Sequence, residues 1–192
     1  MPADNVLIEF SIVPVLLAGP AAILRHPSFT LPPMTDSAAL TIRPAAPGDH
    51  AFILGLAGRF VAFDLPPWRP HGETAAGVHR DIERHLRERP DSSHFFVAET
   101  PDGTRAGFLH LQSTIDFFTG AANCHISDVA VAEGLDGRGI GSRLLAFAET
   151  FAKGRGCRFV TLSVFPGNER ARALYERCGY GVEILRMAKP VG

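Results

Sequence analysis

The run from Val129 to Leu145 constrains what this chain can fold into more than any other stretch. Val129, Ala130 and Val131 read as a buried strand. Glycines follow at 134, 137, 139 and 141, and Ile140, Leu144, Leu145, Ala148 and Phe151 then recur at the spacing of one helix face. Strand, glycine-rich turn and helix start together leave backbone N–H groups without intrahelical partners, and the helix macrodipole places roughly half a positive charge there. Such a turn holds phosphate, and the alternate glycines 137, 139 and 141 let a diphosphate approach without a Cβ in the way.

Residue types at fixed offsets separate three kinds of phosphate loop. The nucleotide loop GxxxxGK[ST] aligns with Gly134 and Gly139, but Ile140 occupies the position of the essential lysine. The dinucleotide fingerprint GxGxxG aligns with Gly137 and Gly139 and then meets Ser142, with no βαβ unit and acidic partner about 20 residues on. In its third form the loop, Asp136-Gly137-Arg138-Gly139-Ile140-Gly141 followed by Ser142, resembles the acyl-CoA loop of the GNAT superfamily of N-acetyltransferases, which reads [QR]xxGx[GA]. Asp136 stands where that family has Gln or Arg. A second motif, Asn168 to Tyr180, resembles the family's NxxAxxLYExxGF signature, with Tyr180 in place of Phe. The two lie in the family's order, and the resemblance spans roughly residues 40 to 189.

That resemblance implies acetyl-CoA as co-substrate and no metal. Amides of Asp136 to Ser142 would bind its pyrophosphate, backbone of Val129, Ala130 and Val131 would hold the pantetheine arm as an added strand, and Asn168 would either cap its helix or touch the cofactor. Tyr175 is expected both to touch the cofactor and to act as general acid, because a phenol with a reference pKa near about 10 keeps a proton to give to a departing thiolate. For the general base the candidates are His125 and Asp128, which regular alternation would place on opposite faces of their strand unless a bulge intervenes. The acceptor would be a small amine or a protein amino group, its pocket lined by the Phe63 to His71 connection and the Asp116 to Thr119 turn, with Trp68, Phe117 and Phe118 available for an apolar part. An acyl-CoA-binding module without turnover is the alternative, and a nucleotide-binding protein a more distant one.

The rest of the chain narrows the setting. With 192 residues, a net charge of −1 and no block of Lys or Arg, it suits one domain and gives no electrostatic basis for binding nucleic acid. Cys124, Cys157 and Cys178 have no metal-ligand spacing and sit among apolar residues, which points to reduced thiols and a cytoplasmic protein. Val6 to Leu24 is interrupted by Glu9, Pro14 and Pro20 and makes neither a membrane span nor a secretory signal. Residues 1–38 are expected to be an extension, with Met34 the true start, and 39–192 the domain. Dimers are common in the resembling family; the sequence does not speak to oligomeric state.

Along the domain the patterns predict an α+β fold of order β-α-α-β-β-β-α-β-α-β, a mixed, mostly antiparallel sheet flanked by about four helices. Its strands are Leu40 to Arg43, Phe95 to Glu99, Ala106 to Ile115, Cys124 to Val131, Arg158 to Phe165 and Tyr180 to Met187. Its helices run over Phe52 to Val61, with Asp49 as N-cap, then through Val78, Ile82 and Leu86 to a stop before Pro90, then from Ile140, and last from Asn168.

Overall fold

A computed structural model describes residues 40–191, and the expectations about residues 1–38 and Met34 lie outside them. Five strands form one sheet in sequence order: β1 (Thr41–Pro44), β2 (Ser93–Glu99), β3 (Arg105–Ile115), β4 (Ala122–Val131) and β5 (Val160–Leu162). Pairing is antiparallel from β1 to β4, and β4 with β5 is parallel. The helices are α1 (His50–Gly55), α2 (His71–Glu88), α3 (Ile140–Gly154) and α4 (Glu169–Arg177).

Alternation along the strands divides the core in two. On one face Leu109, Leu111, Cys124 and Ile126 pack with Ile140, Leu144, Leu145 and Ala148 of α3. On the other, Val97, Phe108 and Ala130 meet Ile53 and Leu56 from the α1 region and Ile82 and Leu86 of α2. Packing on the α3 face is tight at Gly107 of β3, where an added Cβ would lie 2.6 Å from Ala130 O and 3.4 Å from Leu144 Cδ1. Gly107→Ala therefore costs about 1–3 kcal/mol by overpacking, read as a lower urea midpoint with an unchanged m-value.

Three expected elements differ. The first helix breaks at Leu56: Gly55 ends α1, and Ala57–Val61 winds as a 3-10 turn. Asp49 does not cap it with its side chain. Its carboxylate, 1% exposed, takes Arg43 at 2.7 Å, Arg105 at 2.7 Å and the Ala46 N–H at 2.8 Å, and so ties β1 and β3 to the turn before α1. The last strand, Tyr180 to Met187, does not form. Val182, Ile184, Leu185 and Met187 are exposed, the adjacent pair Ile184 and Leu185 breaks period-two alternation, and the neighbouring β5 has three residues rather than the eight expected over 158–165. An extended segment without a paired edge leaves its backbone groups to water.

Candidate active site

β4 carries the site because it has neighbours on both sides for only part of its length. It pairs with β5 over Cys124, His125 and Ile126 alone, while its pairing with β3 continues to Val131. The two parallel strands part after Ile126, and no strand among the described residues covers that edge of Val129 to Val131. Ala132 N–H donates to Ala106 O at 2.8 Å, so alternation turns the N–H and C=O groups of Val131 and Val129 toward the open edge. These are groups an extended ligand can pair with.

The glycine loop stands at the end of that edge. Gly134, Gly137 and Gly139 have φ of 76°, 77° and 74°, and Gly139 is the N-cap of α3 in left-handed conformation. An added Cβ at 137 or 139 would meet nothing within 4 Å, so the space above the loop is open, as a phosphate site requires. Gly141 is small for another reason: a Cβ there would come within 2.9 Å of Leu174 Cδ2, and its absence lets α4 close on α3. Asp136, at the position of the family's Gln or Arg, holds Arg59 at 2.6 Å and Arg170 at 2.9 Å, and the Arg59 hydrogen bond first of all keeps its carboxyl below the usual range. Acid and arginines together leave one net positive charge beside the loop.

α4 supplies Asn168 and Tyr175. Asn168 Oδ1 accepts the Ala171 N–H at 3.1 Å, an N-cap bond that occupies its oxygen and leaves its Nδ2 for other contacts. Tyr175 packs at the edge of the α3-side core, 6.0 Å from Tyr180 between ring centres, and burial raises its phenol above the ordinary value. It is thus protonated at neutral pH. Its hydroxyl makes no hydrogen bond within the described residues.

His125 and Asp128 come to one face. Asp128 pairs with His110 and Ile126 with Leu111, which leaves Ser127 as an extra residue, a bulge that shifts the alternation by one. Ile126 and Val129 accordingly both face α3, whereas His125, Asp128 and Ala130 face the α1 and α2 side. His125 Nδ1 lies 2.9 Å from Thr161 Oγ1, and burial is the leading cause that lowers its pKa. Asp128 Oδ2 lies 2.8 Å from Nδ1 of His110, which the motifs do not single out. The signal was present as a lone histidine in the apolar run Ala106 to Leu111.

The cavity beside Trp68 does not take in the Asp116 to Thr119 turn. Trp68 borders a cavity of about 580 Å³ with Arg69, Glu73, Thr74 and Arg80, and no residue of 116–119 lines it. Phe117 and Phe118 are 65% and 60% exposed, and Asp116 accepts from Thr119 within its own turn. The connection before α2 does reach the site's flank: Phe63 meets Phe165 at 6.0 Å, and a Cβ on Gly167 would fall 2.1 Å from Asp64 O.

A mixed sheet parted beside a glycine loop defines an acyl-CoA-dependent transferase. The chain belongs to the acetyltransferase (GNAT) family, whose model matches residues 59–180, and is an acetyl-CoA-dependent N-acetyltransferase. Among similar solved structures, a putative acetyl transferase from Pyrococcus furiosus is 27% identical, with 80% of this chain and 100% of that chain covered at a TM-score of 0.64. A ribosomal-protein-alanine N-acetyltransferase from Brucella melitensis biovar Abortus 2308 is 20% identical, with 80% and 100% covered and a TM-score of 0.61. An aminoglycoside N-acetyltransferase, AAC(6')-Iy in complex with CoA, is 19% identical, with 82% and 98% covered and a TM-score of 0.58. The last two are likenesses of fold. No described helix is long and apolar enough to cross a membrane, and no described cluster of His, Cys, Asp or Glu has the grouping of a metal site.

Proposed function

We propose that the protein transfers the acetyl group of acetyl-CoA to a primary amine by direct attack in a ternary complex. The observation that carries this reading is the parting of β4 from β5 with the glycine loop at its end: an open strand edge for an extended arm, leading to amides for a diphosphate. Backbone groups of Val129 and Val131 hold the arm, with Ala130 between them, and an N–H there faces the thioester oxygen as negative charge develops on it. Amides of Gly137 to Ser142 take the pyrophosphate, with Arg138 and the Asp136 cluster at the rim. The acceptor loses its proton on the side of His125 and Asp128, and Tyr175 protonates the leaving thiolate.

The acceptor is a small amine or a protein amino group. The neighbours named above act on a ribosomal-protein alanine in one case and an aminoglycoside in the other, so the fold serves both classes. The proposed chemistry calls on neither metal nor nucleic acid, and the free, partly to fully buried cysteines suit a reducing cytoplasm.

The first test is melting temperature with acetyl-CoA, CoA, ATP and NADH in parallel. A ligand at about 100 times its dissociation constant stabilises by roughly 2.7 kcal/mol, a rise of roughly 5–10 °C for a domain of this size. A rise with acetyl-CoA and CoA alone is the expected result; a rise with ATP or NADH alone, or none, overturns the proposal. A panel of alkylamines, aminoglycosides and peptide amino termini then separates an enzyme from a binding module, which would bind acetyl-CoA and acetylate nothing.

A further inference from the structure

His110 has no place in the mechanism above, yet it is the most enclosed polar side chain among the described residues, with no exposed surface. Both ring nitrogens are engaged: Nδ1 lies 2.8 Å from Asp128 Oδ2, and Nε2 lies 2.8 Å from Ser93 Oγ. Phe95 stacks on the ring at 4.0 Å, nearly parallel at 9°. An ionised carboxylate can only accept, so the neutral ring places its hydrogen on Nδ1, toward Asp128, and the Ser93 hydroxyl donates to Nε2. The imidazole is thereby held in one orientation and one tautomer.

We infer that Asp128 is the general base of the acetyl transfer and that His110 and Ser93 are its positioning residues. The inference rests on the acetyl-transfer reading given above. The links are those of a serine hydrolase triad, Oγ to Nε2 and Nδ1 to carboxylate, with the working group at the other end. A fully enclosed ring cannot reach a substrate, whereas the Asp128 side chain, 11% exposed, keeps a face open. His110 occupies Oδ2 and leaves Oδ1 for the acceptor. An N–H bond of the substrate ammonium breaks, its proton goes to Oδ1, and the freed electron pair on nitrogen forms the bond to the acetyl carbon. As the C–S bond breaks, Tyr175 gives its proton to the departing thiolate, and the second proton shed by the new amide nitrogen returns to the Tyr175 oxygen. The proton on Asp128 passes to water when the product leaves.

The ionisable surroundings of the dyad come from three directions. On α2, His85 packs against His110 at 4.9 Å, its pKa lowered chiefly by burial, and Asp81 and Arg84 lie beside it. On β4, His125 shares the face of Asp128. On the Ser93 side, a cavity of about 170 Å³ also touches His50, His85 and Arg89.

The test compares wild type with His110→Phe, Ser93→Ala and His110→Asn, using acetyl-CoA and two acceptors. One is the alkylamine found in the panel, an ammonium at neutral pH; the other is hydroxylamine, at a pH where it is already uncharged. His110→Phe is expected to lower kcat for the alkylamine by about tenfold or more at unchanged acceptor KM, and to lower it for hydroxylamine by less than about twofold. Loss of the Nδ1 donor favours protonated Asp128, so the acid limb of kcat/KM moves to higher pH. Ser93→Ala moves it the same way by less, and His110→Asn, which keeps an N–H near the Nδ1 position, restores it. An equal loss with both acceptors, an unmoved acid limb, or a full rate in His110→Phe overturns the inference. The acetyl-CoA melting shift, run on every variant, reports folding; if His110→Phe does not fold, Ser93→Ala, which deletes one oxygen atom, carries the comparison. A wild type that binds acetyl-CoA and acetylates neither amine overturns the acetyl-transfer reading, and the inference with it.

Discussion

Replacing Tyr175 with Phe lowers kcat by about two to four orders of magnitude while the rise in melting temperature with acetyl-CoA stays intact. The split follows from what the hydroxyl touches. It makes no hydrogen bond within the described residues, so its removal leaves the packing against the α3-side core and Tyr180 in place. In the proposed reading cofactor affinity rests on the loop and on the open edge of β4, which the substitution does not reach. Burial raises the phenol above its ordinary value, so the group is a proton donor across the neutral range and no competing base. Steady-state rates with the alkylamine of the panel, beside melting curves with acetyl-CoA, check both halves. A rate within about threefold of wild type would remove Tyr175 from the mechanism, and a lost melting shift would reassign it to binding.

Asp49→Asn is the largest expected change in stability, about 2–3 kcal/mol at neutral pH. The carboxylate is buried and joins Arg43, Arg105 and the Ala46 N–H, so the amide leaves two guanidinium groups facing a neutral partner. The pH dependence has a definite sign. Arg43 above all holds the Asp49 carboxyl well below its usual range in the folded state. Its contribution is then fully present above the unfolded-state value near about 3.9 and is lost as pH falls toward the folded value. Urea unfolding of both proteins at neutral pH and again near pH 3 should show the gap narrowing on acidification. A constant gap would mean that shape, and not charge, is what the site requires.

Much of this molecule was legible before any coordinates. The strand, loop and helix from Val129 onward read correctly because glycines and apolar spacing are local signals, and α2 stopped where Pro90 required, at Glu88. Two misreadings and one question the sequence leaves open share one cause: the deciding partner is distant in sequence. Asp49 reads as an N-cap because its neighbours are helical, but Arg105 lies 56 residues away and takes the carboxylate. Tyr180 to Met187 reads as a strand on β propensity, which counts for little when the adjoining edge is three residues long. His125 and Asp128 fall on opposite faces by a rule of two that holds only while both strands advance together, and on one face if a bulge intervenes, as it does. Nothing in the order Ile126, Ser127, Asp128 announces that one residue will go unpaired, and so Ser93 and His110 stay invisible as partners of Asp128 until the register is known.

That unpaired residue gives β4 two reading frames. Upstream of Ser127 the even-numbered side chains face α3; downstream the odd-numbered ones do. Deleting Ser127 would restore a single parity and leave everything that follows on its present face, because Asp128 would still stand opposite His110 and Val129 opposite Leu109. Removing a residue from Val129 to Val131 has no such outlet: either the residues after it turn over, or the bulge is absorbed and Asp128 turns into the apolar core. A one-residue deletion is therefore tolerable at Ser127 and far less so on the site side of it, because the chemistry is registered by counting.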